Sequence, residues 1–551
     1  MADSQGRASF KRSLGDALAT ADLRRLQLAW TAASVGGWVF FIVLAVYAYN
    51  EGGAAAVGVA ALARMVPAGL AAPLAGVVVD RRSRREVLIL ITAGRAVLLA
   101  GIAAAVAAGA PLAVVLVLSA LFTVLQTAHR PAQAALLPGL AETPRQIVAS
   151  NAVWTAVDSI GFLLGALLAG VLVGAAGTET GFLVTAGLLA IATWPLARIP
   201  RDPVPDYREH EDEEGPLEEL ASGFRTVVGD PSLRLLVGVL SCSTFVEGAV
   251  DVLVVLVAIE LLDLGDSGVG WLNSAWAFGG IVGGAAAISL LGRGRLAAGL
   301  AGGCLLVGVP LLLVAALPEV AMAVAMLVVL GVGYSLIETA GLTLLQRLTS
   351  DDVLGRAFAV VESSYWLTTG AGAMAAPAIV GLFGVRGALV AIGLCLPVVV
   401  ALRWVGLARF EAGAAIPEAA FALLRSVPLF APLSLGTLEN VSRRLDEVEV
   451  SAGHAVVREG EPGERFYVIA EGEFEASNSR GTFPLLGEGD VFGEIALLRD
   501  IPRTATVTAR TDGLLYALDR ESFLAAVAGH RFASRSADSM VHERTERTPV
   551  S

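Results

Sequence analysis

Charge is scarce in this 551-residue chain: only 16% of its residues are Asp, Glu, Lys or Arg, whereas 55% are hydrophobic. An average soluble chain carries charge on about a quarter of its residues, so an ordinary soluble protein of this size is excluded. Lys11 is the single lysine, and the three cysteines, Cys242, Cys304 and Cys395, lie in apolar runs without metal-ligand spacing. A disulfide framework is therefore excluded, and the net charge of −12 argues against a nucleic-acid partner.

Catalytic motifs are missing as well. The sequence has no Walker loop, no HExxH and no nucleophile elbow in a credible context, so we do not expect an enzyme or a metal cofactor. The first 25 residues are polar and mixed in charge, without the apolar core of a cleavable signal peptide. We expect membrane insertion to begin with the first long apolar segment.

Long apolar runs are abundant. Twelve segments of about 20 residues or more match the thickness of a bilayer and predict twelve transmembrane helices, at 27–49, 54–79, 87–109, 112–136, 151–174, 180–198, 233–262, 268–291, 296–316, 320–345, 357–383 and 387–406. Arginines concentrate in the loops on one side together with both termini. The positive-inside rule thus predicts a plasma (inner) membrane protein with both termini in the cytoplasm.

The chain divides where its polarity changes. A polar and acidic stretch separates six apolar segments from six, which indicates a duplicated architecture of two six-helix halves. After residue 417, short alternating strands punctuated by glycine predict a small β-roll with flanking helices. The predicted boundaries are an N-terminal segment 1–26, the halves 27–198 and 233–406 around the acidic linker 199–232, a linker 407–420, the β-roll domain 421–530 and a polar tail 531–551.

A basic loop lies between the second and third segments. Its glycine, Gly76, permits close helix packing. Its charged residues can form an ion-pair network that locks one conformation: Asp80, Arg81, Arg84 and Arg85. This sequence resembles the signature loop of the major facilitator superfamily, except that Ser83 stands where the family usually has glycine. Within that superfamily, the segment Arg130-Pro131-Ala132-Gln133 with Leu136-Leu137-Pro138 is similar to the exporter branch, which implies efflux of small molecules.

Several ionisable residues lie inside the apolar segments, where each costs about 2.5–3.5 kcal/mol on insertion scales and faces a partner or a cavity. We predict a transport cavity, with protons as a candidate coupling ion, lined by Arg64, Arg130, Asp158, Glu247, Asp251, Glu338 and Glu362. Arg64, Arg95 and Arg130 are the candidate counter-charges. Buried Arg–carboxylate pairs that only fix helix packing remain an equal alternative for each acid.

A glycine-containing turn near the C-terminus precedes one arginine by ten residues. Backbone amides after Gly493 can donate to a phosphate oxygen, and Arg503 can add a charge-assisted contact to the same group. The surrounding pattern resembles the cyclic nucleotide-binding domain, and the resemblance implies that Glu494 accepts from the ribose 2′-hydroxyl. The predicted nucleotide site comprises Phe492, Gly493, Glu494, Ile495, Ala496, Arg503, Thr504 and Ala505.

The sequence therefore predicts a secondary active transporter regulated by a cyclic nucleotide, with cAMP favoured over cGMP. Thr504 could donate to phosphate or to a guanine amino group, so the residues alone leave the base undecided. Two alternatives stay open. One is a membrane-anchored nucleotide receptor or scaffold that no longer transports, and the other is a carrier that exports the nucleotide itself. The predicted partners are the lipid bilayer, a cyclic nucleotide and a small-molecule substrate that the sequence does not identify.

Overall fold

The computed structural model describes residues 18–80, 82–141, 143–200, 224–291, 296–349, 351–414, 418–430, 433, 438, 441–479 and 481–528. The chain forms two compact units. The first, called the membrane unit below, comprises Met1–Leu345 and Gly355–Phe410. The second, the C-terminal unit, comprises Gln346–Leu354 and Glu411–Ser551.

Long helices dominate the chain before residue 415. They are α1 (Ala21–Asp80), α2 (Arg84–Ala107), α3 (Leu112–Thr127), α4 (His129–Leu140), α5 (Pro144–Ala197), α6 (Pro231–Leu256) with a π-helical end Val257–Leu261, α7 (Gly265–Leu291), α8 (Leu296–Ala316), α9 (Val320–Leu348) and α10 (Asp351–Ala414). Apolar residues surround most of these helices on all sides, as expected where the outer face meets lipid and the inner face meets other helices.

Eight helical stretches in the described part of the chain are long and apolar enough to cross a membrane. Three of them, Ala21–Ala71, Ala149–Ala197 and Val360–Leu407, are 51, 49 and 48 residues long. At 1.5 Å per residue each would span about 70 Å, more than twice the hydrocarbon core. The helices that contain them, α1, α5 and α10, are each interrupted by a glycine with positive φ: Gly53 (φ 62°), Gly177 (φ 79°) and Gly384 (φ 68°).

Two hydrogen bonds connect parts of the membrane unit that are far apart in sequence. Tyr49 donates from its hydroxyl to Glu260 over 2.8 Å, and Asn50 donates from its amide to Asp266 over 2.8 Å. Close beside them, a Cβ on Gly174 would lie 3.0 Å from the Ser267 side chain. These contacts place the interruptions at Gly53 and Gly177 at the same end of the unit as the start of α7.

The C-terminal unit contains two antiparallel four-stranded sheets. Its strands are β1 (Asp446–Val450), β2 (Ala455–Val457), β3 (Arg465–Glu471), β4 (Phe474–Asn478), β5 (Gly481–Thr482), β6 (Val491–Phe492), β7 (Thr506–Ala509) and β8 (Gly513–Asp519). The orders are β1-β8-β3-β6 and β2-β7-β4-β5. Among the described residues, the helices with full bounds in this unit are α11 (Glu418–Ser426), α12 (Glu494–Arg499) and α13 (Arg520–Ala528). The predicted β-roll with flanking helices has this architecture.

Alternation along β3 divides the core of this unit in two. Phe466 and Val468 face a cluster that includes Phe430 and Phe523, whereas Tyr467 and Ile469 face a second cluster inside the roll. Phe466 stacks on Phe523 of α13 with ring centroids 4.6 Å apart. Phe523 is therefore a core residue that attaches α13 to the sheet.

Candidate functional site

The loop after β6 is shaped by its pairing with β3. Tyr467 lies opposite Phe492, and their rings stack with centroids 4.9 Å apart. Gly493 then adopts φ 95°, in the left-handed region, and caps α12. A Cβ at this position would lie 2.5 Å from Arg503 Nη1 and 2.9 Å from the Arg465 carbonyl oxygen, so only glycine fits.

Arg503 lies directly against this turn and is only 6% exposed. Its Nη1 donates to the Gly493 carbonyl over 3.1 Å, and its Nη2 donates to the Arg465 carbonyl over 2.6 Å. Burial lowers the pKa of Arg503, although the neighbouring Tyr467, Glu494 and Glu461 oppose the change. The guanidinium group keeps its charge at neutral pH, since its reference pKa lies above 12.

The backbone of Arg503 is fixed as firmly as its side chain. Its N–H donates to the Glu461 carbonyl over 2.8 Å, and its carbonyl accepts from the N–H of Gly460 over 2.9 Å. On the other side of the same turn, Gly463 leaves room for Ala496, because a Cβ there would come within 2.7 Å of the alanine methyl. The turn at 460–463 thus orients the arginine before any ligand arrives.

The structure brings the predicted nucleotide-site residues together in one loop–helix–loop segment. Phe492, Glu494, Ala496 and Arg503 are buried, Gly493, Ile495 and Ala505 are half-buried, and Thr504 is exposed. Sequence reasoning missed Arg465, whose carbonyl oxygen holds the guanidinium group. Its contribution comes from the backbone, which a side-chain motif does not reveal. An anion could therefore bind to the fixed guanidinium group of Arg503 beside the turn at Gly493. A hydroxyl group could donate to the buried carboxyl group of Glu494.

A polar cluster in the membrane unit contains the predicted Arg130 and Asp158. Arg130 Nη2 lies 3.7 Å from Asp158 Oδ2, and the hydroxyl of Ser34 donates to Asp158 Oδ1 over 2.9 Å. Glu338, on α9, interacts electrostatically with both Arg130 and Asp158. Ser34 was not predicted, because nothing local to α1 indicates that it meets α5.

A second cluster joins four helices. Arg64 on α1 interacts electrostatically with Asp251 on α6 and Tyr365 on α10. Its guanidinium carbon also lies 5.5 Å from the ring centroid of Phe40 and 5.1 Å from that of Phe41. Glu247 on α6 interacts electrostatically with Tyr365, and Tyr334 on α9 interacts in the same way with both acids of α6. Arg64 and Asp251 thus attract each other electrostatically, without the direct contact that joins Arg130 to Asp158.

Two of the predicted polar residues have other surroundings. Glu362 is exposed and accepts a hydrogen bond from the Trp366 indole nitrogen over 3.2 Å. Arg95, one of three candidate counter-charges, instead lies 4.5 Å from the Phe122 ring centroid and donates to Gln126 over 3.4 Å. In the described part of the chain Arg95 contacts no carboxylate, so it neutralises none of the predicted acids.

The basic loop is described only in part. Arg81 lies outside the described residues, as do the surroundings of Gly76 and the side chain of Asp80. Arg85 donates to the carbonyl of Ala197 at the end of α5 over 2.6 Å. Ser83 has φ −56° and accepts from the N–H of Glu86 as the N-cap of α2, so this turn needs no glycine.

Comparisons with known proteins match both the long apolar helices and the C-terminal unit. The profile of the Major Facilitator Superfamily matches residues 28–351, more than half of the chain. The chain therefore belongs to the Major Facilitator Superfamily. The profile of the cyclic nucleotide-binding domain matches residues 447–530, so the chain carries such a domain after its membrane helices. Both resemblances predicted from the sequence are confirmed.

Curated relatives match this second domain. A cAMP-dependent protein kinase regulatory subunit from Aspergillus fumigatus is 38% identical over 104 residues, which cover 18% of this chain and 25% of the relative. The cGMP-dependent protein kinase egl-4 of Caenorhabditis briggsae is 46% identical over 77 residues, covering 14% of this chain and 10% of the relative. The chain thus spans about a quarter or less of these relatives.

Among solved structures, the regulatory domain of Toxoplasma gondii PKA with cAMP is 34% identical to the matching segment. The match covers 21% of this chain and 46% of that one, with a TM-score of 0.21.

Proposed function

We propose that this protein is a secondary active transporter, exporting small molecules, whose activity is controlled by a cyclic nucleotide bound to its C-terminal domain. The observation that carries the proposal is the retention of Gly493, Glu494 and Arg503 in one prearranged turn, attached to a superfamily whose members are membrane carriers. A degenerate binding domain would have no reason to keep a buried cation fixed between two carbonyl groups.

The proposed ligand chemistry follows from the turn. The cyclic phosphate would be bound by Arg503 and by the amides after Gly493, and the ribose 2′-hydroxyl would donate to Glu494, which is 1% exposed. We favour cAMP over cGMP because the cAMP-dependent relatives match over a longer segment than the cGMP-dependent kinase does. Thr504 is exposed and free to meet either base.

The proposed membrane arrangement has twelve crossings in two halves. Each of the three longest spans exceeds one bilayer thickness and contains a glycine break, so each supplies two crossings rather than one. The remaining single spans, with α7, complete the twelve. The excess of arginine on one side supports a plasma-membrane protein whose termini and nucleotide-binding domain lie in the cytoplasm.

Control of transport requires the nucleotide to prefer one conformation of the carrier. A coupling of about 1–3 kcal/mol changes a balanced two-state equilibrium about 5- to 150-fold, so a modest preference suffices for regulation. The ion pair of Arg130 with Asp158 and the electrostatic attraction between Arg64 and Asp251 each join different helices. They are the proposed sites where protonation or a conformational change would break one pair and allow the cavity to open.

The decisive experiment measures flux in proteoliposomes containing the intact protein, with a substrate panel, with and without cAMP. Transport that responds to cAMP, and no longer responds in an Arg503→Ala variant, supports the proposal. Flux that ignores a nucleotide shown to bind contradicts regulation. Absence of flux for every substrate favours the receptor or scaffold alternative, and nucleotide flux that persists in Arg503→Ala favours nucleotide export.

A further inference from the structure

The C-terminal unit includes a short segment that joins two of the long helices. This segment, Gln346–Leu354, contains the last residues of α9, which ends at Leu348, and the first residues of α10, which begins at Asp351. We call residues 346–354 the α9–α10 connection. Thr349, between the two helices, is only 4% exposed, although connections between helices normally lie at the surface in contact with water. The connection is therefore a packed part of the C-terminal unit.

A guanidinium group holds the end of α9. Arg443 Nη1 donates to the carbonyl oxygen of Arg347 over 3.3 Å, and both residues are half-buried members of the C-terminal unit. The last four carbonyl groups of an α-helix have no partner within the helix, and the helix dipole favours a positive charge beside them. Arg443 supplies both a donor and a positive charge. It thus caps α9 from a position just before β1.

The residue that follows Arg443 contacts α13. Arg444 Nη1 donates to the hydroxyl of Ser522 over 3.1 Å. Its charge also attracts Asp519, whose carboxylate accepts from the N–H of Ser522 at the start of the same helix. Because Arg443 and Arg444 are consecutive, the segment 441–444 is bonded to the α9–α10 connection through one side chain and to α13 through the next.

The start of α13 is bonded in turn to the predicted nucleotide site. The N–H of Arg520 donates to the Glu464 carbonyl over 2.9 Å, and its Nη2 donates to Asp500 Oδ1 over 2.5 Å. Glu464 directly follows the turn at 460–463 that orients Arg503, and Asp500 caps the end of α12. Two hydrogen bonds therefore connect the site to α13.

A shared core supports these polar contacts. Val441, Leu497 of α12 and Phe523 of α13 belong to one buried cluster. Side chains in a closely packed core have little room to move independently, and chains of packed side chains can carry energetic coupling between sites. A displacement of α12 is thus expected to reach both α13 and the segment 441–444.

The two helices that meet at the α9–α10 connection carry residues of the polar clusters described above. Tyr334 and Glu338 lie on α9, and Tyr365 lies on α10. Only two residues separate the end of α9 from the start of α10, so a displacement of the connection moves the ends of both helices. Shifts of this kind, by a few ångströms, are a common form of switching transition.

We propose that Arg443 is the point at which the nucleotide-binding domain acts on the long helices. Nucleotide bound at the Gly493 turn moves α12 and α13, which changes the bond from Arg443 to the Arg347 carbonyl and with it the position of α9 and α10. This inference rests on the proposed function and specifies how it is regulated. Arg443 is a positioning residue in this scheme and lies outside the predicted nucleotide site.

The test measures hydrogen–deuterium exchange of the α9–α10 connection in the full chain in lipid nanodiscs, with and without cAMP. In the parent protein we expect cAMP to change the exchange rate of these amides at least about 5-fold, as a coupling of typical size would. Arg443→Ala should abolish this change while the variant still binds cAMP. Arg425→Ala, which removes an exposed arginine from the same unit, is the matched control and should retain it.

Ser522→Ala tests the same path if Arg443→Ala does not fold. It removes the hydroxyl that accepts from Arg444 and should also reduce the response to cAMP. A full response in both variants, or an equal loss in Arg425→Ala, overturns the inference. Calorimetric titration with cAMP shows that each variant retains a folded nucleotide site.

The outcomes also separate this inference from the proposed function. A parent protein that binds cAMP without any change at the connection overturns the inference and retains the nucleotide site. Absence of cAMP binding refutes the proposed regulation and this inference together. Exchange needs no substrate, so a response at the connection without flux in proteoliposomes refutes transport and retains the inference. Flux that ignores cAMP in Arg443→Ala, although the nucleotide still binds, supports it further.

Discussion

Arg503 and Arg130 are both arginines of predicted sites, and the structure holds them in different ways. Arg503 is buried, and its partners are the backbone carbonyl oxygens of Gly493 and Arg465. Arg130 is 67% exposed at its side chain and its partner is another side chain, Asp158. A backbone-held cation is fixed by the fold itself and is ready for a ligand. A cation paired with a side chain can exchange its partner when helices move.

The largest effect is expected where the backbone-held cation is removed. Arg503→Ala should weaken cAMP binding by about 2–5 kcal/mol, which is at least about 30-fold, because a buried charge-assisted contact to phosphate disappears. Isothermal titration calorimetry on the full chain measures the change. Arg510→Ala, which removes an ion pair with Glu475 in the same domain, is the matched control and should bind normally. Equal losses in both variants would mean that Arg503 does not contact the ligand.

Gly493→Ala should have the next largest effect. The alanine would be held in a left-handed conformation, at a cost of about 1–3 kcal/mol, and its Cβ would displace the Arg503 guanidinium group. We expect cAMP affinity to fall at least about 5-fold. The variant should also lose cAMP binding at a lower temperature than the parent protein does. Gly487→Ala is the control, since a Cβ there meets no atom within 4 Å and the backbone is not left-handed. Normal affinity in Gly493→Ala would show that the turn is not part of the site.

A double-mutant cycle on Arg130→Gln and Asp158→Asn addresses the side-chain-held pair. We expect a coupling of about 0.5–1 kcal/mol in thermal stability in one detergent, because both groups are partly exposed. The double variant should be more stable than the sum of the single changes implies. Strict additivity would mean that the Arg130–Asp158 pair contributes nothing to stability. The contrast between Arg503, held by the backbone, and Arg130, held by a side chain, would then fail.

The smallest effect is expected at Asp519, which accepts from the N–H of Ser522 over 2.9 Å at the start of α13. This contact holds the pKa of Asp519 below its usual value, so its stabilisation is present above the unfolded pKa and is lost as pH falls through the folded pKa. Asp519→Ala should cost about 1 kcal/mol at pH 7 and less at pH 4.

The temperature at which half of cAMP binding is lost, measured at both pH values, checks this prediction. An equal difference between Asp519→Ala and the parent protein at pH 7 and pH 4 would contradict a charged cap.

The same contrast explains what the sequence could predict. The predicted nucleotide site is local: Gly493 and Arg503 lie ten residues apart, and their spacing is characteristic enough to predict a position and a ligand class. The polar pairs of the membrane unit are not local. Arg64 and Asp251 are separated by 187 positions, and Ser34 and Asp158 by 124.

Apolar periodicity predicts that each of these residues lies in a membrane helix, but not which ones meet. Of three candidate counter-charges, the structure assigns Arg64 and Arg130 to acids and places Arg95 against Phe122. The ring contacts that lead from Trp38 through Phe162 and Trp276 to Tyr334 escaped prediction for the same reason, since these residues come from four helices. Twelve membrane crossings and the domain boundaries remain predictions.

The glycine breaks at Gly53 and Gly177 have a practical consequence. Each joins two helical stretches through one or two residues, and the contacts of Tyr49 and Asn50 place them beside the short turn that precedes α7. At these three described connections there is therefore almost no loop that an antibody could bind or into which an affinity tag could be inserted. Reagents meant to recognise the folded protein after it is extracted from the membrane should be directed to its C-terminal domain instead.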